Sequence, residues 1–254
     1  MNAIDDCGYG RQFSSWYDRV FPSDADAELT AAKLADLHPG RGSGTLELGV
    51  GTGRIALPLS QRLGRVVGVD SSPEMLTLLA DKAERTGSDV VGVHGDIRLF
   101  DDGELYDLVY CVCSTLALLL TPEEQQSAVD RAAGRLAPEG VLVLEVHHRP
   151  AVLALHASSA STTSFVPYPD PGTGLLTHAT LSPGGTLWRC SHVWFEQDGT
   201  SRVGSDVIRL SSSDELDARA ARAGLTLKAQ WGDWQEAPLN DEAALDIRVY
   251  ERAS

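Results

Sequence analysis

Residues 45–53 read Thr-Leu-Glu-Leu-Gly-Val-Gly-Thr-Gly, a short, largely apolar run that ends in three glycines at alternate positions. The run predicts a buried strand, and apolar residues from Ile55 to Leu63 predict a helix directly after it. The glycines allow close approach of the backbone to a ligand, and the start of the helix offers free N–H groups. This stretch therefore predicts the first strand and ligand loop of an α/β fold.

The same alternation of strand and helix continues outward from this loop. Ser72-Pro73 predicts the start of a helix, with Ser72 as the N-cap, and Pro122 predicts the start of another. Further strands are predicted over residues 65–70, 90–93, 106–112 and 141–146. Strands that alternate with helices of this length indicate βαβ crossovers and a doubly wound, mostly parallel sheet.

The pattern changes after His147. From about Ala151 to Asp206 the sequence shows no helix–strand alternation, and a stretch rich in Ser, Thr, Pro and Gly, residues 158–174, predicts a mobile loop. Three strand-like runs with turns between them predict an antiparallel β cap inserted after the fifth strand: residues 175–180, 188–195 and 203–210. A helix over 213–223 and an antiparallel edge pair of strands, 225–231 and 245–250, complete a predicted seven-stranded sheet.

These elements predict one domain over residues 1–254. Its expected parts are an N-terminal lid or helical segment (1–40), a cofactor-binding core (41–150), the antiparallel cap insertion (151–208), and the last helix with the edge strands (209–254). Hydrophobic residues make up 43% of the chain, which is enough for a large buried core.

The charge balance excludes some partners. The chain has 21 Lys+Arg against 36 Asp+Glu, a net charge of −15, so its surface is expected to repel nucleic acid and anionic membranes. Its four cysteines (7, 111, 113 and 190) show no disulfide-framework spacing, and residues 1–10 have no signal-peptide pattern. A cytoplasmic protein is expected, as a monomer or a homodimer.

The glycine loop does not match the dinucleotide fingerprint, because Arg54 stands where that fingerprint needs its third glycine. The spacing is Gly49, Gly51, Gly53, and the acid Glu47 precedes it. A carboxylate at this strand end suits a cationic ligand with an amino group and repels a pyrophosphate. The alternative is a glycine-rich turn without a ligand.

Two further acids follow the next two strands. Asp70, with Ser71 beside it, ends the second strand, where a carboxylate can accept from ribose hydroxyls. Asp96 follows the third strand and can accept from an adenine amine, with the N–H of Ile97 on a ring nitrogen. Met75 is either a purine contact or a core residue, and both aspartates have an alternative reading as loop or helix caps.

Taken together, residues 45–146 resemble the class I S-adenosylmethionine-dependent methyltransferase family, with its Rossmann-like sheet. The resemblance implies S-adenosylmethionine as the cofactor, with Cys113 after the fourth strand on its methionine side. The aromatic segment from Tyr9 to Asp18 is similar to the lid of small-molecule members, which implies Tyr17 and Arg11 as contacts of the cofactor carboxylate. The cap resembles that of natural-product and amino-sugar members.

Methyl transfer to an ammonium or a hydroxyl needs a proton acceptor. His147 and His148 follow the fifth strand at the expected methyl position, so either is a candidate base or acceptor contact. Amino-sugar members are aromatic at this stretch, so the histidine pair departs from them. Tyr9, Tyr168, His178 and Trp188 are candidate substrate-binding residues, with Arg189, His192 and Trp194 as further candidates or sheet core.

The sequence predicts a metal-independent methyltransferase for a small molecule such as a secondary metabolite or sugar. No His, Asp or Glu cluster has the spacing of metal ligands in sequence. N- or O-methylation is expected, and C-methylation is a further possibility. Two alternatives stay open: a nicotinamide-dependent oxidoreductase and a non-catalytic S-adenosylmethionine-binding protein.

Overall fold

A computed structural model describes residues 8–40, 42 and 44–253, so Cys7 and the first residues lie outside the described part of the chain. The helices are α1 Tyr9–Phe13, α2 Tyr17–Val20, α3 Ala25–Leu37, α4 Ala56–Leu63, α5 Pro73–Thr86, α6 Pro122–Gly134, α7 Arg149–His156 and α8 Ser213–Arg222. The strands are β1 Thr45–Leu48, β2 Val66–Asp70, β3 Val90–His94, β4 Tyr106–Cys111, β5 Leu136–His147, β6 Ser161–Pro167, β7 Gly174–Leu181, β8 Leu187–Phe195, β9 Ser201–Arg209, β10 Leu225–Trp231 and β11 Leu245–Arg252.

Seven strands form the main sheet in the order β10-β11-β5-β4-β1-β2-β3. Strand β3 pairs with β2, β2 with β1, β1 with β4, and β4 with β5, and all four pairs are parallel. Strand β11 pairs antiparallel with both β5 and β10. This confirms the predicted doubly wound, mostly parallel sheet, and the last two strands form the predicted pair at one edge, with β11 on the inside. The β11 insertion also distinguishes the sheet from the dinucleotide-binding order, in which the last strands follow in parallel.

Helix caps agree with the local sequence. Ser72 accepts a hydrogen bond from the N–H of Met75 at the start of α5, and Pro73 follows it. Thr121 and Glu124 form a capping box on α6, and Ser212 and Glu215 form another on α8. These caps fix where each helix begins, and so they fix the loops at the carboxyl edge of the sheet.

The cap is a second, four-stranded antiparallel sheet in the order β6-β7-β8-β9. One expectation for this region is wrong, and one helix was not predicted. The unpredicted helix is α7, at the start of the insertion; Pro150 sits in its first turn, and Val152 and His156 share its buried face. Residues 161–167, expected in a mobile loop, form the edge strand β6, because edge strands tolerate exposed polar residues such as Thr163.

The N-terminal segment, residues 8–22, joins the cap to the core through an aromatic cluster. Phe13, Trp16, Val20, Met75 and Trp194 are buried together in it. Gly204 on β9 allows this packing, since a Cβ atom there would lie 2.7 Å from Cζ of Phe13 and 3.1 Å from Cζ2 of Trp16.

Ion pairs attach the same N-terminal segment to both the core and the cap. On the core side, Asp18 pairs with Lys82 of α5 at 2.6 Å and accepts a hydrogen bond from Thr52 Oγ1 at 2.7 Å. On the cap side, Arg19 pairs with Glu196 at 2.6 Å. The segment therefore bridges the core and the cap, as expected for a lid. No helix in the described residues is long and apolar enough to cross a membrane.

Candidate active site

A cavity of about 730 Å³ lies at the carboxyl edge of the main sheet, enclosed by the core, the N-terminal segment and the cap. Most of the predicted site residues line it: Tyr9, Tyr17, Glu47, Gly49, Gly51, Asp70, Ser71, Met75, Asp96, Ile97, Cys113, His147 and Trp188. Five predicted residues do not: Arg11, Gly53, His148, Tyr168 and His178. The cofactor half of the prediction is therefore brought together almost entirely, and the acceptor half only in part.

The glycine loop turns under the cavity in a conformation that excludes side chains. Gly49 has φ +82°, and a Cβ atom there would lie 2.2 Å from Cγ2 of Thr115. Gly53 faces away from the cavity, and a Cβ atom there would lie 2.4 Å from Cδ1 of Leu79, so its role is close packing of the loop on α5. Gly49 and Gly51 line the cavity with backbone instead of side chains.

Asp70 is held in place by the backbone of two loops. Its Oδ2 accepts from the N–H of Gly51 at 2.8 Å, and its Oδ1 accepts from the N–H of Ser72 at 2.9 Å. Each carboxylate oxygen can accept more than one hydrogen bond. A fixed carboxylate beside the glycine loop has the chemistry that ribose hydroxyls require.

Asp96 is engaged by Arg98 in this structure. Arg98 donates to both carboxylate oxygens, at 2.6 to 3.0 Å, and pairs with Glu124 of α6 at 2.6 Å. The contact with Arg98 lowers the pKa of the Asp96 carboxyl, against an opposing effect of burial that is the largest single influence. The carboxylate stays ionised, which suits an acceptor for an amine N–H.

Two buried glutamates lie at the floor of the cavity. Glu47 is 3% exposed and accepts a hydrogen bond from Tyr110 at 2.8 Å. Glu145 on β5 accepts from the N–H of Cys113 at 2.9 Å and from Trp234 Nε1 at 2.7 Å. Burial raises the pKa of both carboxyls, so each is stabilised by a positive charge in the cavity. Sequence reasoning missed Glu145, because a lone acid within an apolar strand carries no spacing signal.

Arg54, the first residue after the glycines, also lines the cavity. Its Nε donates to the carbonyl of Pro22 at 3.2 Å, and its Nη1 lies 3.5 Å from the sulfur of Cys113. Burial is the main cause of the raised pKa of the Tyr17 phenol, which therefore stays protonated as a donor. Arg54 and Tyr17 together are suited to a carboxylate, and sequence reasoning used Arg54 only to exclude a dinucleotide.

The backbone of the loop after β4 is strained where it lines the cavity. Cys113 and Ser114 both have left-handed conformations, with φ +54° and +58°, which side-chain-bearing residues rarely adopt. Two contacts to β5 fix the loop: Cys113 N–H to Glu145, and the N–H of His147 to Ser114 Oγ at 3.0 Å. Such strain is typical of functional sites, where the surrounding structure maintains it.

One face of the cap sheet forms the remaining wall. Side chains alternate along strands, so every second residue faces the cavity. The cavity-facing residues are Thr162 and Ser164 on β6, Leu175, Thr177 and Ala179 on β7, Trp188, Cys190 and His192 on β8, and Asp206 and Ile208 on β9. Cys190, His192 and Asp206 place one ligand atom each within 4.8 Å of one another, a grouping of metal-ligating types that their sequence spacing does not reveal.

His147 and His148 are separated by the end of β5. His147 lines the cavity and packs edge-to-face on Trp188 at 5.5 Å, and burial lowers its pKa while Asp206 opposes that shift. His148 is 6% exposed; its Nδ1 lies 3.0 Å from the carbonyl of Ala243 and its N–H donates to Ala244. The structure therefore brings only His147 to the site, because consecutive residues at a strand end point in different directions.

Three other predicted contacts also lie elsewhere. Tyr168 donates to the carbonyl of Val20 and packs on Trp194, so it anchors the N-terminal segment. His178 is on the outer face of β7, with its Nδ1 2.9 Å from Thr163 Oγ1. Arg11 is exposed and lies in the electrostatic field of Glu74, outside the cavity.

Comparison with known proteins agrees with this geometry. Residues 45–140 match the family model described as methyltransferase domain. The chain is 29% identical over 197 residues to the dTDP-3-amino-3,6-dideoxy-α-D-glucopyranose N,N-dimethyltransferase of Streptomyces fradiae, covering 76% of this chain and 69% of that protein.

Solved structures give the same result over nearly the whole chain. The CcbJ methyltransferase of Streptomyces caelestis superposes with a TM-score of 0.88 at 29% identity, covering 98% of this chain and 100% of that one. The S-adenosylmethionine-bound amino pentose methyltransferase CalS10 of Micromonospora echinaspora superposes with a TM-score of 0.74 at 23% identity, covering 93% and 96%. The second likeness supports the fold.

The sheet topology and the matched proteins define a transferase of the methyltransferase fold class. The chain carries a methyltransferase domain and is an S-adenosylmethionine-dependent methyltransferase, similar over most of its length to natural-product methyltransferases. Its cofactor is S-adenosylmethionine, and the nicotinamide alternative receives no support.

Proposed function

We propose that the chain methylates an amino nitrogen of a small natural-product molecule that carries no nucleoside diphosphate. The observation that carries this proposal is one cavity shared by two chemically different walls. One wall is formed by the cofactor loops of the core, and the other by the cap face with Asp206, next to His147 at the end of β5. The relative from Streptomyces fradiae is named for an amino acceptor, which supports nitrogen over oxygen or carbon.

The core wall matches the cofactor group by group. Asp70 suits the ribose hydroxyls, and Asp96 with the N–H of Ile97 suits the adenine edge, while Met75 offers an apolar surface to the ring. Glu47 meets the requirement of an amino group, because its buried carboxylate needs a positive partner. Arg54 and Tyr17 suit the cofactor carboxylate.

The cap wall argues against a nucleotide-linked acceptor. Within the described residues, the cap contributes no lysine or arginine to the cavity, and its charged side chain there is the acid Asp206. A buried diphosphate needs cationic partners with good hydrogen-bond geometry. The wall instead suits a neutral or cationic molecule with hydroxyl and apolar groups, which differs from the nucleotide-linked acceptor named for the Streptomyces fradiae relative.

His147 is the proposed proton acceptor. Bound S-adenosylmethionine supplies a methyl group on a sulfonium, which is electrophilic without further activation. The protein must remove one proton from the acceptor ammonium, because only the neutral amine has a free lone pair. Burial keeps the His147 ring neutral near physiological pH, so it can take that proton, and the field of Asp206 stabilises the resulting imidazolium.

The test is calorimetry with S-adenosylhomocysteine, followed by mass spectrometry of a panel of amines, alcohols and nucleotide-linked amino sugars incubated with S-adenosylmethionine. We expect binding of the product cofactor and a mass gain of one methyl on non-nucleotide amines. No binding heat would reject the cofactor site, and methylation confined to alcohols or to nucleotide-linked sugars would reject the proposed acceptor.

A cytoplasmic location, a monomer or homodimer, and the absence of nucleic-acid and membrane partners stay predictions. The acidic charge of −15 supports the last of these. The domain boundaries stay predictions too, as does the metal-independent reaction.

A further inference from the structure

The cap wall contains a polar arrangement of which the proposed methyl transfer uses only Asp206. His192 on β8 has its Nε2 3.4 Å from Oδ2 of Asp206 on β9, and both side chains are 17% exposed. On the other side of the ring, Nδ1 lies 2.9 Å from Thr177 Oγ1 on β7. Three neighbouring strands thus contribute one polar side chain each to the same face.

The backbone register holds this arrangement. Thr177 is paired directly with His192 across β7 and β8, and Asp206 is paired with Cys190, two residues from His192. The edge of the His192 ring also packs against Phe13 of the N-terminal segment, with centroids 5.8 Å apart. The contacts with Thr177 and Phe13 therefore hold the imidazole of His192 in place before any acceptor binds.

The two facing atoms are both hydrogen-bond acceptors in one protonation state. When Nδ1 donates its proton to Thr177 Oγ1, Nε2 carries a lone pair, and the opposing Asp206 oxygen carries a negative charge. An added donor can bridge two such atoms at 3.4 Å. With the ring proton on Nε2 instead, Nε2–H donates to Asp206 and Thr177 Oγ1 donates to Nδ1, because a hydroxyl can take either role. Within the described residues, no arginine or lysine pairs with Asp206.

We propose that Asp206 and His192 form the ammonium-binding subsite for the acceptor; the bound ammonium donates to Nε2, and Thr177 Oγ1 accepts the ring proton from Nδ1 in that state. An amine in its protonated form has at least two N–H donors, one for the carboxylate and one for Nε2. A hydroxyl acceptor has one donor and no charge, so the subsite selects amines over alcohols. This inference rests on the proposed function and assigns the acceptor-recognition residues of that same cavity.

The remaining group of the cluster fits this role. Burial raises the pKa of the Cys190 thiol to about 12, so it stays neutral and leaves Asp206 as the charge of the cluster. His147, which lies within the electrostatic field of the same carboxylate, then receives the proton of an ammonium already held by the cap. Binding and deprotonation are thus divided between two histidines.

The chain offers a matched control on the other face of the same sheet. Thr163 and His178 repeat the pairing of Thr177 and His192, at the same 2.9 Å distance and the same sequence separation of 15, but they face outward. Thr177→Val removes the acceptor of the Nδ1 proton in the ammonium-bound state, whereas Thr163→Val removes an equivalent hydrogen bond away from the cavity. For the carboxylate, Asp170→Asn changes an exposed cap acid outside the cavity.

The experiment measures thermal shifts with saturating S-adenosylhomocysteine and a probe pair. The probes are the methyl glycosides of 3-amino-3,6-dideoxyglucose and of 6-deoxyglucose, which differ by an amine in place of a hydroxyl. We expect wild type, Thr163→Val and Asp170→Asn to bind the amine at least tenfold more tightly than the alcohol. Asp206→Asn should remove that preference, and Thr177→Val should reduce it severalfold.

The outcomes separate the two proposals. Stabilisation by S-adenosylhomocysteine should be the same in all five proteins, and its absence in wild type would reject the proposed function itself. With that stabilisation present, no amine preference in wild type, or an equal preference in Asp206→Asn, would overturn the ammonium subsite. An equal effect of Thr163→Val and Thr177→Val would overturn the role of Thr177.

Discussion

Gly204 offers a test of how the N-terminal segment closes the cavity. A Cβ atom at this position would lie 2.7 Å from Cζ and 2.8 Å from Cε1 of Phe13. Carbon atoms pack at about 3.5–4.0 Å, so Gly204→Ala requires the Phe13 ring to withdraw by roughly 1 Å. The ring is 4% exposed and stacks on Tyr9 at 4.3 Å, so it has little free space to withdraw into.

The expected size of the effect follows from the cost of overpacking, about 1–3 kcal/mol. If this cost destabilises the packing of the N-terminal segment over the cavity, the affinity for S-adenosylhomocysteine should decrease about 5- to 150-fold, at ~1.4 kcal/mol per factor of ten. Calorimetry measures the affinity, and trypsin cleavage at Arg19 of the segment should become faster. Gly134→Ala is the control, because nothing lies within 4 Å of a Cβ atom there.

The reasoning is refuted by one combination of results. Affinity within twofold of wild type, together with a lower Tm, would place the strain within the cap sheet and leave the lid closed. Unchanged cleavage at Arg19 with weakened binding would likewise contradict displacement of the segment. Gly134→Ala should leave both measurements unchanged.

Three further predictions concern the cavity floor and the histidines. Asp70→Ala should weaken S-adenosylhomocysteine binding by about 10²–10⁴-fold in calorimetry, because two hydrogen bonds to a charged group contribute about 1.5–3 kcal/mol each. A loss of affinity below threefold would reject the ribose contact. His147→Ala should lower kcat by about 100-fold with cofactor affinity intact, whereas His148→Ala should lower Tm and leave the turnover of folded enzyme unchanged; equal kinetic effects would contradict this division. Burial raises the pKa of Glu47 above its unfolded value, so this carboxyl's contribution to stability is complete below about pH 4.5 and is lost as pH rises. Without cofactor, the Tm of Glu47→Gln should therefore increase relative to that of wild type from pH 5 to 8. A Tm difference that stays constant over this range would contradict the prediction.

The cofactor half of the site was predictable because its residues follow their strands directly. Glu47 lies in β1, Asp70 ends β2, and Asp96 comes two residues after β3. The carboxyl ends of parallel strands meet at one edge of a sheet, so local sequence is sufficient to place these side chains together. Gly53 shows the limit of this reasoning, since the third glycine serves packing on α5 and does not line the cavity.

The acceptor half depends on which face of the cap sheet each residue occupies. His178 and His192 are both strand histidines opposite a threonine, yet only His192 faces the cavity. Alternation along the sequence shows which residues of one strand share a face of the sheet. It does not show which of the two faces lines the cavity. The same limitation separates His147 from His148, and it led to the choice of His178 over His192 as a predicted substrate contact.

The placement of the two histidines also has a consequence for how acceptor specificity can diverge. The core wall is built from loops that must keep their shape to hold the cofactor, as the strained backbone of Cys113 and Ser114 indicates. The cap face consists of regular antiparallel strands, in which a cavity-facing side chain can change without altering the backbone. If Asp206 and His192 bind the acceptor as proposed, acceptor specificity can change through substitutions on the cap face while the cofactor loops stay unaltered.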